Sequence, residues 1–280
     1  MPHPRPLRDA DLSSVEAVFT DVDGTLTTHG LLRSSTLRAL ESLAQGGVRV
    51  VLVSGRPAGW GEAWARTLPV DGVIVENGGL FFHRRPGGPL RKVYAQSASV
   101  RAVNRRRLQA EVARVLARVP GARLSSDSAH TEVDLAIDYN EEARLGSAAA
   151  GRIEALLRAR GVTAVRSSVH VNCWIGRFDK RTAVSRFLRS AWGQVLQPGE
   201  RRYAYAGDSF NDAPLFGAFP VSVGVANVRA VLAAIDTPPA FITRAAEGAG
   251  FEELARAVLA QRQRREKRRA GPRESQGVAA

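Results

Sequence analysis

The sequence has one cysteine, Cys173, and one methionine. A single thiol excludes an intrachain disulfide and any metal site built on several thiolates. Lysine is almost as scarce: Lys92, Lys180 and Lys267 are the only ones among 40 basic residues. Arginine is thus the default cation, so one arginine says little while each lysine stands out. No apolar run approaches the roughly 20 residues that a membrane span needs. Residues 1–14 lack the apolar stretch of a signal peptide. The expectation is a soluble, cytoplasmic protein with no membrane partner.

What is present fits a globular chain. Its 280 residues are 44% hydrophobic and 24% charged, enough for one large core or two modest ones. The net charge is +13, and much of it sits in the run 261–269. Such a run could touch nucleic acid, but a solvated, disordered tail over 261–280 is the expected reading, and nucleic acid is not expected as a partner. Nothing in the sequence speaks to oligomeric state.

Short apolar segments at 15–20, 48–53, 72–75 and 202–206 read as buried strands, with helical spacing at 34–45, 57–68 and 179–192 between them. The rhythm is that of an α/β fold, a parallel sheet with helices on both faces. Between 83 and 176 it changes. Helical patterns at 100–119 and 141–160 alternate with period-two segments at 131–139 and 168–175. That suggests an inserted α+β module whose sheet has one face on helices and the other left open. The expected division is 1–82 for the first part of the core, with 1–14 flexible, 83–176 for the insert, 177–260 for the rest of the core and 261–280 for the tail.

The chemistry gathers where strands end. Asp21 and Asp23, in Asp21-Val22-Asp23-Gly24-Thr25, point the same way at the end of one strand. Taken alone, that pentapeptide could be an Asp-Gly turn. Ser54, followed by Gly55 and Arg56, closes a second strand. Asp208, Asn211 and Asp212 follow a third, and Lys180 opens a helix between. In one parallel sheet these groups meet at its carboxyl edge. Crowded carboxylates there call for a hard divalent ion, most simply Mg²⁺.

The set suits phosphoryl transfer. Asp21 would be the nucleophile and Asp23 the general acid and then base. Mg²⁺ would sit between Asp21, the main-chain carbonyl of Asp23 and Asp208, with Asp212 and Asn211 completing or orienting its shell. Ser54, Gly55 and Arg56 would hold phosphate oxygens, and Lys180 would supply positive charge to Asp21. In the insert, His170, Asn172 and Trp174 share one strand face. They either contact a substrate, with Trp174 stacked on a ring, or form ordinary module surface.

These motifs, in this order, resemble the four signatures of the haloacid-dehalogenase superfamily over 15–82 and 177–258. The insert resembles the type IIB cap of its Cof-like branch, and Glu76-Asn77-Gly78-Gly79 is similar to the Asn-Gly-Ala turn found before that cap. The branch includes sucrose-phosphate, trehalose-phosphate and mannosyl-phosphoglycerate phosphatases and phosphomannomutase. The resemblance implies a Mg²⁺-dependent phosphatase acting on a small phosphorylated metabolite such as a sugar phosphate. A phosphosugar mutase on the same core is the alternative, and a nucleic-acid binder using the basic tail ranks last.

Overall fold

The protein is described from a computed structural model that covers residues 3–84, 87–167 and 169–270. In chain order the strands and helices begin with β1 (Arg5–Pro6), β2 (Ala17–Thr20), β3 (Thr27–Thr28), β4 (Leu31–Leu32), α1 (Ser34–Gln45), β5 (Arg49–Val53), α2 (Ala58–Thr67) and β6 (Gly72–Val75). They continue with β7 (Leu80–Arg84), β8 (Leu90–Tyr94), α3 (Ala98–Leu116), β9 (Arg123–Leu124), β10 (Leu135–Asp138), α4 (Gly146–Arg158), β11 (Thr163–Arg166) and β12 (His170–Trp174). The last are α5 (Lys180–Phe187), β13 (Tyr203–Gly207), α6 (Ala213–Phe216), β14 (Val221–Gly224), β15 (Phe241–Ile242) and α7 (Glu247–Ala270).

A nine-stranded sheet runs in the order β1-β15-β14-β13-β2-β5-β6-β7-β8. It is parallel from β1 to β6 and ends in an antiparallel hairpin. Its central strands are apolar along their whole length because both faces are covered. Leu40, Leu43, Phe251 and Leu254 pack on one face. On the other, Phe19 meets Phe187, Trp192, Tyr203 and Phe219 with ring centroids 5.5 to 6.3 Å apart. Each such buried ring stabilises the fold by about 1.5–3 kcal/mol.

A separate antiparallel sheet, β11-β12-β10-β9, carries α3 and α4 on one face. Leu108, Val112 and Val115 of α3 and Ile153 and Leu157 of α4 bury against Leu135, Ile137, Val171 and Cys173. Cys173 is thus a core residue, its thiol pushed above the ordinary value by burial.

Four expectations are corrected. Residues 83–84 and 90–94, assigned to the insert, extend the large sheet as β7 and β8, because Leu80 to Phe82 are apolar enough to be buried there. Residues 3–14 of the first segment are built in: Arg5 N–H donates to Ala240 O at 3.0 Å, and Leu7 and Leu12 are buried. Residues 261–270 continue α7 in place of a disordered tail. Arg262 donates to Val15 O at 2.6 Å, Arg265 to Ser13 O at 3.1 Å and Gln261 to Ala10 O at 3.0 Å. The rest of the tail, 271–280, lies outside the described residues. Finally, the second face of the small sheet is not open; His170 and Asn172, side chains on that face, are buried over the carboxyl edge of the large sheet. Among the described residues no helix is long and apolar enough to cross a membrane.

Candidate active site

The order β13-β2-β5 sets three motif-bearing strands side by side. Asp208, Asp21 and Ser54 follow their carboxyl ends, and the crevice outside such ends is where α/β sheets bind ligands. Lys180, the first residue of α5, is swung into the same place by a capping box between Asp179 and Thr182. Its ammonium donates to Asp21 Oδ1 and to Asp212 Oδ1, both at 2.8 Å.

Asp21, Asp208 and Asp212 offer oxygens within 4.8 Å of one another, all buried. One lysine faces three acids. Burial raises the Asp21 carboxyl to about 7 despite the nearby ammonium, with Asp212 adding to the rise. Burial, then the charges of Asp21 and Asp212, push Asp208 well above the usual range. Burial alone would lower Lys180, but Asp21 and Asp212 more than offset it and keep the ammonium charged.

The excess of negative charge suits a cation, and the hydrogen bonding shows where. Asp208 Oδ2 accepts from Asn227 at 2.8 Å, but its Oδ1 is buried with no partner. A buried, unpaired carboxylate oxygen is expensive to leave so. Asp21 and Asp208 are therefore the residues fitted to hold a divalent ion. Asp212 is fitted for something else. Its Oδ1 accepts from Lys180 and from the Tyr205 hydroxyl, its Oδ2 from the Asp208 and Ser209 amides at 2.9 and 3.0 Å. It positions the loop and the lysine, and both of its oxygens are already engaged. Gly24, at φ +75°, could bear no side chain, since a Cβ would collide with Asp208 Oδ2.

Asp23 turns away from the cluster toward Arg56. The guanidinium donates Nε–H to Asp23 Oδ2 at 3.0 Å and Nη2–H to Oδ1 at 2.9 Å. The same group reaches two acids of the inserted unit, Glu141 at 2.7 Å and Asp127 at 3.4 Å. Glu141 also meets His170 Nε2 at 2.8 Å. The His170 hydrogen bond, then Arg56, hold Glu141 down at about 2. The insert is thereby drawn onto the core, and the cleft beneath it has a volume of about 20 Å³, room for roughly one water.

Asp21, Asp23, Gly55, Arg56, His170, Asn172 and Asn211 all line that cleft. Ser54 lies just beneath, its Oγ accepting the Arg56 amide at 3.0 Å. Trp174, a candidate for stacking on a substrate ring, is elsewhere. It is buried, stacked on Phe178 with centroids 5.6 Å apart, and donates its indole N–H to Phe178 O. Being last in its strand, it falls at the junction with the core and not over the cleft.

Some participants escaped the sequence. Asn227 ties Asp208 to Gly24 O and follows the end of β14, so the strand-end rule would have found it. Glu76 is fully buried and accepts the amides of Ala58, Glu132, Val133 and Asp134 at 2.5 to 2.9 Å. It bolts the insert to the core; the sequence marked it only as the first residue of the Glu76-Asn77-Gly78-Gly79 turn, with no role of its own. Gly78 beside it has φ +96°, and a Cβ would strike Asp179 O.

Residues 18–113 match a family described as haloacid dehalogenase-like hydrolase. No curated protein matches the sequence. Among solved structures, the Thermoplasma acidophilum 0175 protein superposes with TM-score 0.65 at 20% identity, over 87% of this chain and 98% of that one. The sucrose-phosphatase from Synechocystis sp., solved with sucrose and phosphate, gives 0.61 at 17%, over 86% and 97%. A trehalose-6-phosphate phosphatase related protein gives 0.58 at 18%, over 89% and 99%. At these identities the likeness is one of fold. The family match covers about a third of the chain, and it spans the strands β2 and β5 that deliver Asp21 and Ser54; over that stretch the sequence is similar to the haloacid dehalogenase-like hydrolases.

Proposed function

We propose that the protein is a phosphatase that hydrolyses a small phosphomonoester, a sugar phosphate, with Mg²⁺ as its cofactor. The observation that carries this reading is Asp21 itself: a buried carboxylate fixed at 2.8 Å by Lys180 on the floor of a closed cleft. Its fold neighbours include a sucrose-phosphatase bound to sucrose and phosphate.

Each residue has a part. A phosphate entering the cleft competes with Asp23, Asp127 and Glu141 for the Arg56 guanidinium, which is a bidentate phosphate donor. Asp21 attacks phosphorus and becomes an aspartyl-phosphate. Asp23, freed from Arg56, takes up a proton from the entering phosphate monoanion, passes it to the leaving oxygen, then takes a proton from the water that cleaves the intermediate. Lys180 holds Asp21 in line. When bound at Asp21 and Asp208, Mg²⁺ supplies Lewis acidity and offsets charge on the transferring group. The insert excludes bulk water.

The test is phosphate release from a panel of phosphorylated metabolites with Mg²⁺, run beside Asp21→Asn. Release by the wild type that is lost in the variant is expected. Undiminished release by Asp21→Asn would reject the nucleophile. Return of the phosphoryl group to the sugar, with no free phosphate, would make the protein a mutase.

A further inference from the structure

Next to the cleft, on the far side of Arg56, lies a second concavity at the seam between core and insert. Gly59, Trp60, Ala63, Ser126, Asp127 and His130 line it; it is a shallow groove, wide open to solvent, of about 420 Å³. That is within the ordinary range of small-molecule sites. We propose that this groove is the subsite for the leaving group, and that it takes a neutral, polyhydroxylated ring stacked on Trp60. The proposal rests on the phosphatase reading and deepens it.

The groove and the cleft share a wall. Arg56 Nη1 lies 3.4 Å from Asp127 Oδ2, and the guanidinium sits 5.7 Å from the centre of the Trp60 ring. When phosphate draws Arg56 toward Asp21, the wall between the two spaces shifts, and an ester spanning both can be held at each end.

The indole is presented and held in place by neighbours. It is 44% exposed, although large aromatics are usually buried. Yet its Nε1–H donates to Asp127 Oδ2 at 3.0 Å, and the ring leans on Trp64 with centroids 5.6 Å apart. A fixed, exposed ring flanked by a carboxylate, a hydroxyl and an imidazole matches a sugar, which offers an apolar C–H face and hydroxyl donors at its rim. Charge narrows the class further. Asp23, Asp127 and Glu141 all pair with Arg56, and Glu141 also meets His170, so the acids outnumber the cations there. A leaving group with its own carboxylate or second phosphate would meet repulsion there, whereas a neutral polyol would not.

The test compares trehalose 6-phosphate and glucose 6-phosphate, which carry rings, with acyclic glycerol 1-phosphate and anionic phosphoglycolate. Trp60→Ala should raise KM for the ring-bearing esters by about tenfold, with kcat little moved and a much smaller penalty on glycerol 1-phosphate. Trp60→Phe, which keeps a ring but loses the bond to Asp127, should restore most of the lost KM. Phosphoglycolate should be the poorest substrate. Equal penalties on cyclic and acyclic esters, or a Phe variant as poor as Ala, would show Trp60 to be a mere clasp on Asp127 and overturn the proposal. So would turnover of acyclic esters with none of the sugar phosphates. If no ester is hydrolysed, the phosphatase reading fails separately. The groove is then judged by tryptophan emission against free trehalose: a shift abolished by Trp60→Ala upholds it, and no shift overturns it.

Discussion

The Lys180 ammonium reaches Asp21 Oδ1 at 2.8 Å although 159 residues separate the two. Both are buried, and Asp212 completes the contact. Breaking a buried ion pair from one side strands the other charges, so Lys180→Met should lower stability by roughly 3–5 kcal/mol. Urea unfolding checks the loss. Phosphate release, expected to vanish, checks the catalytic part.

Asp208 and Asp212 look alike in sequence and should separate by experiment. Asp208 keeps a free buried oxygen, whereas Asp212 has both oxygens engaged. Asp208→Asn should weaken Mg²⁺ binding at least tenfold in titration calorimetry while the fold persists. Asp212→Asn should instead reduce folding stability, by about 1–3 kcal/mol for the donors left unpaired.

The pH dependence has a definite sign. Asp21 is raised from the ordinary 3.8 to about 7 by burial. Between those values the folded state keeps a proton that the unfolded chain has released. Stability without metal therefore falls as pH rises through that window. Mg²⁺ needs the ionised carboxylates, so its binding strengthens over the same rise and releases protons. Melting curves with EDTA should drop from about pH 4 to about pH 7, and added Mg²⁺ should stabilise more at the alkaline end.

Glu76 ties four amides together across the junction of core and insert. Glu76→Ala would leave those buried N–H groups without an acceptor, a loss on the order of 3 kcal/mol or more. Glu76→Gln, which keeps one acceptor oxygen, should lose less. Thermal unfolding ranks the variants, and limited proteolysis near residues 131–134 should cut Glu76→Ala first.

The strands that carry the site were legible because buried parallel strands are unbroken apolar runs, and because chemistry in such sheets collects at one edge. Asp21, Ser54 and Asp208 needed only that rule and the assumption of adjacency, which β13-β2-β5 supplies. Arg56 could be placed near phosphate and beside Asp23, but its other two acid partners could not, since Asp127 and Glu141 come from loops of the insert. Glu76 was seen only as part of a turn, because nothing in the sequence tells a buried acid from a turn residue. Residues 261–270 misled because they lack an apolar stripe. Their helix is held by arginines bonded to distant carbonyls, a device with no periodic signature. Trp174 misled because alternation tells which face a residue takes but not what stands opposite it.

The large sheet ends on one side at β8, where Arg91 and Lys92 are exposed. An unpaired edge is a template for further strands, and an exposed cation such as Arg91 along it repels a second copy of itself, while Lys92 is tied to Glu132 at 2.6 Å. At that border the molecule carries its own safeguard against fibrous growth, a property of the hairpin that has nothing to do with catalysis.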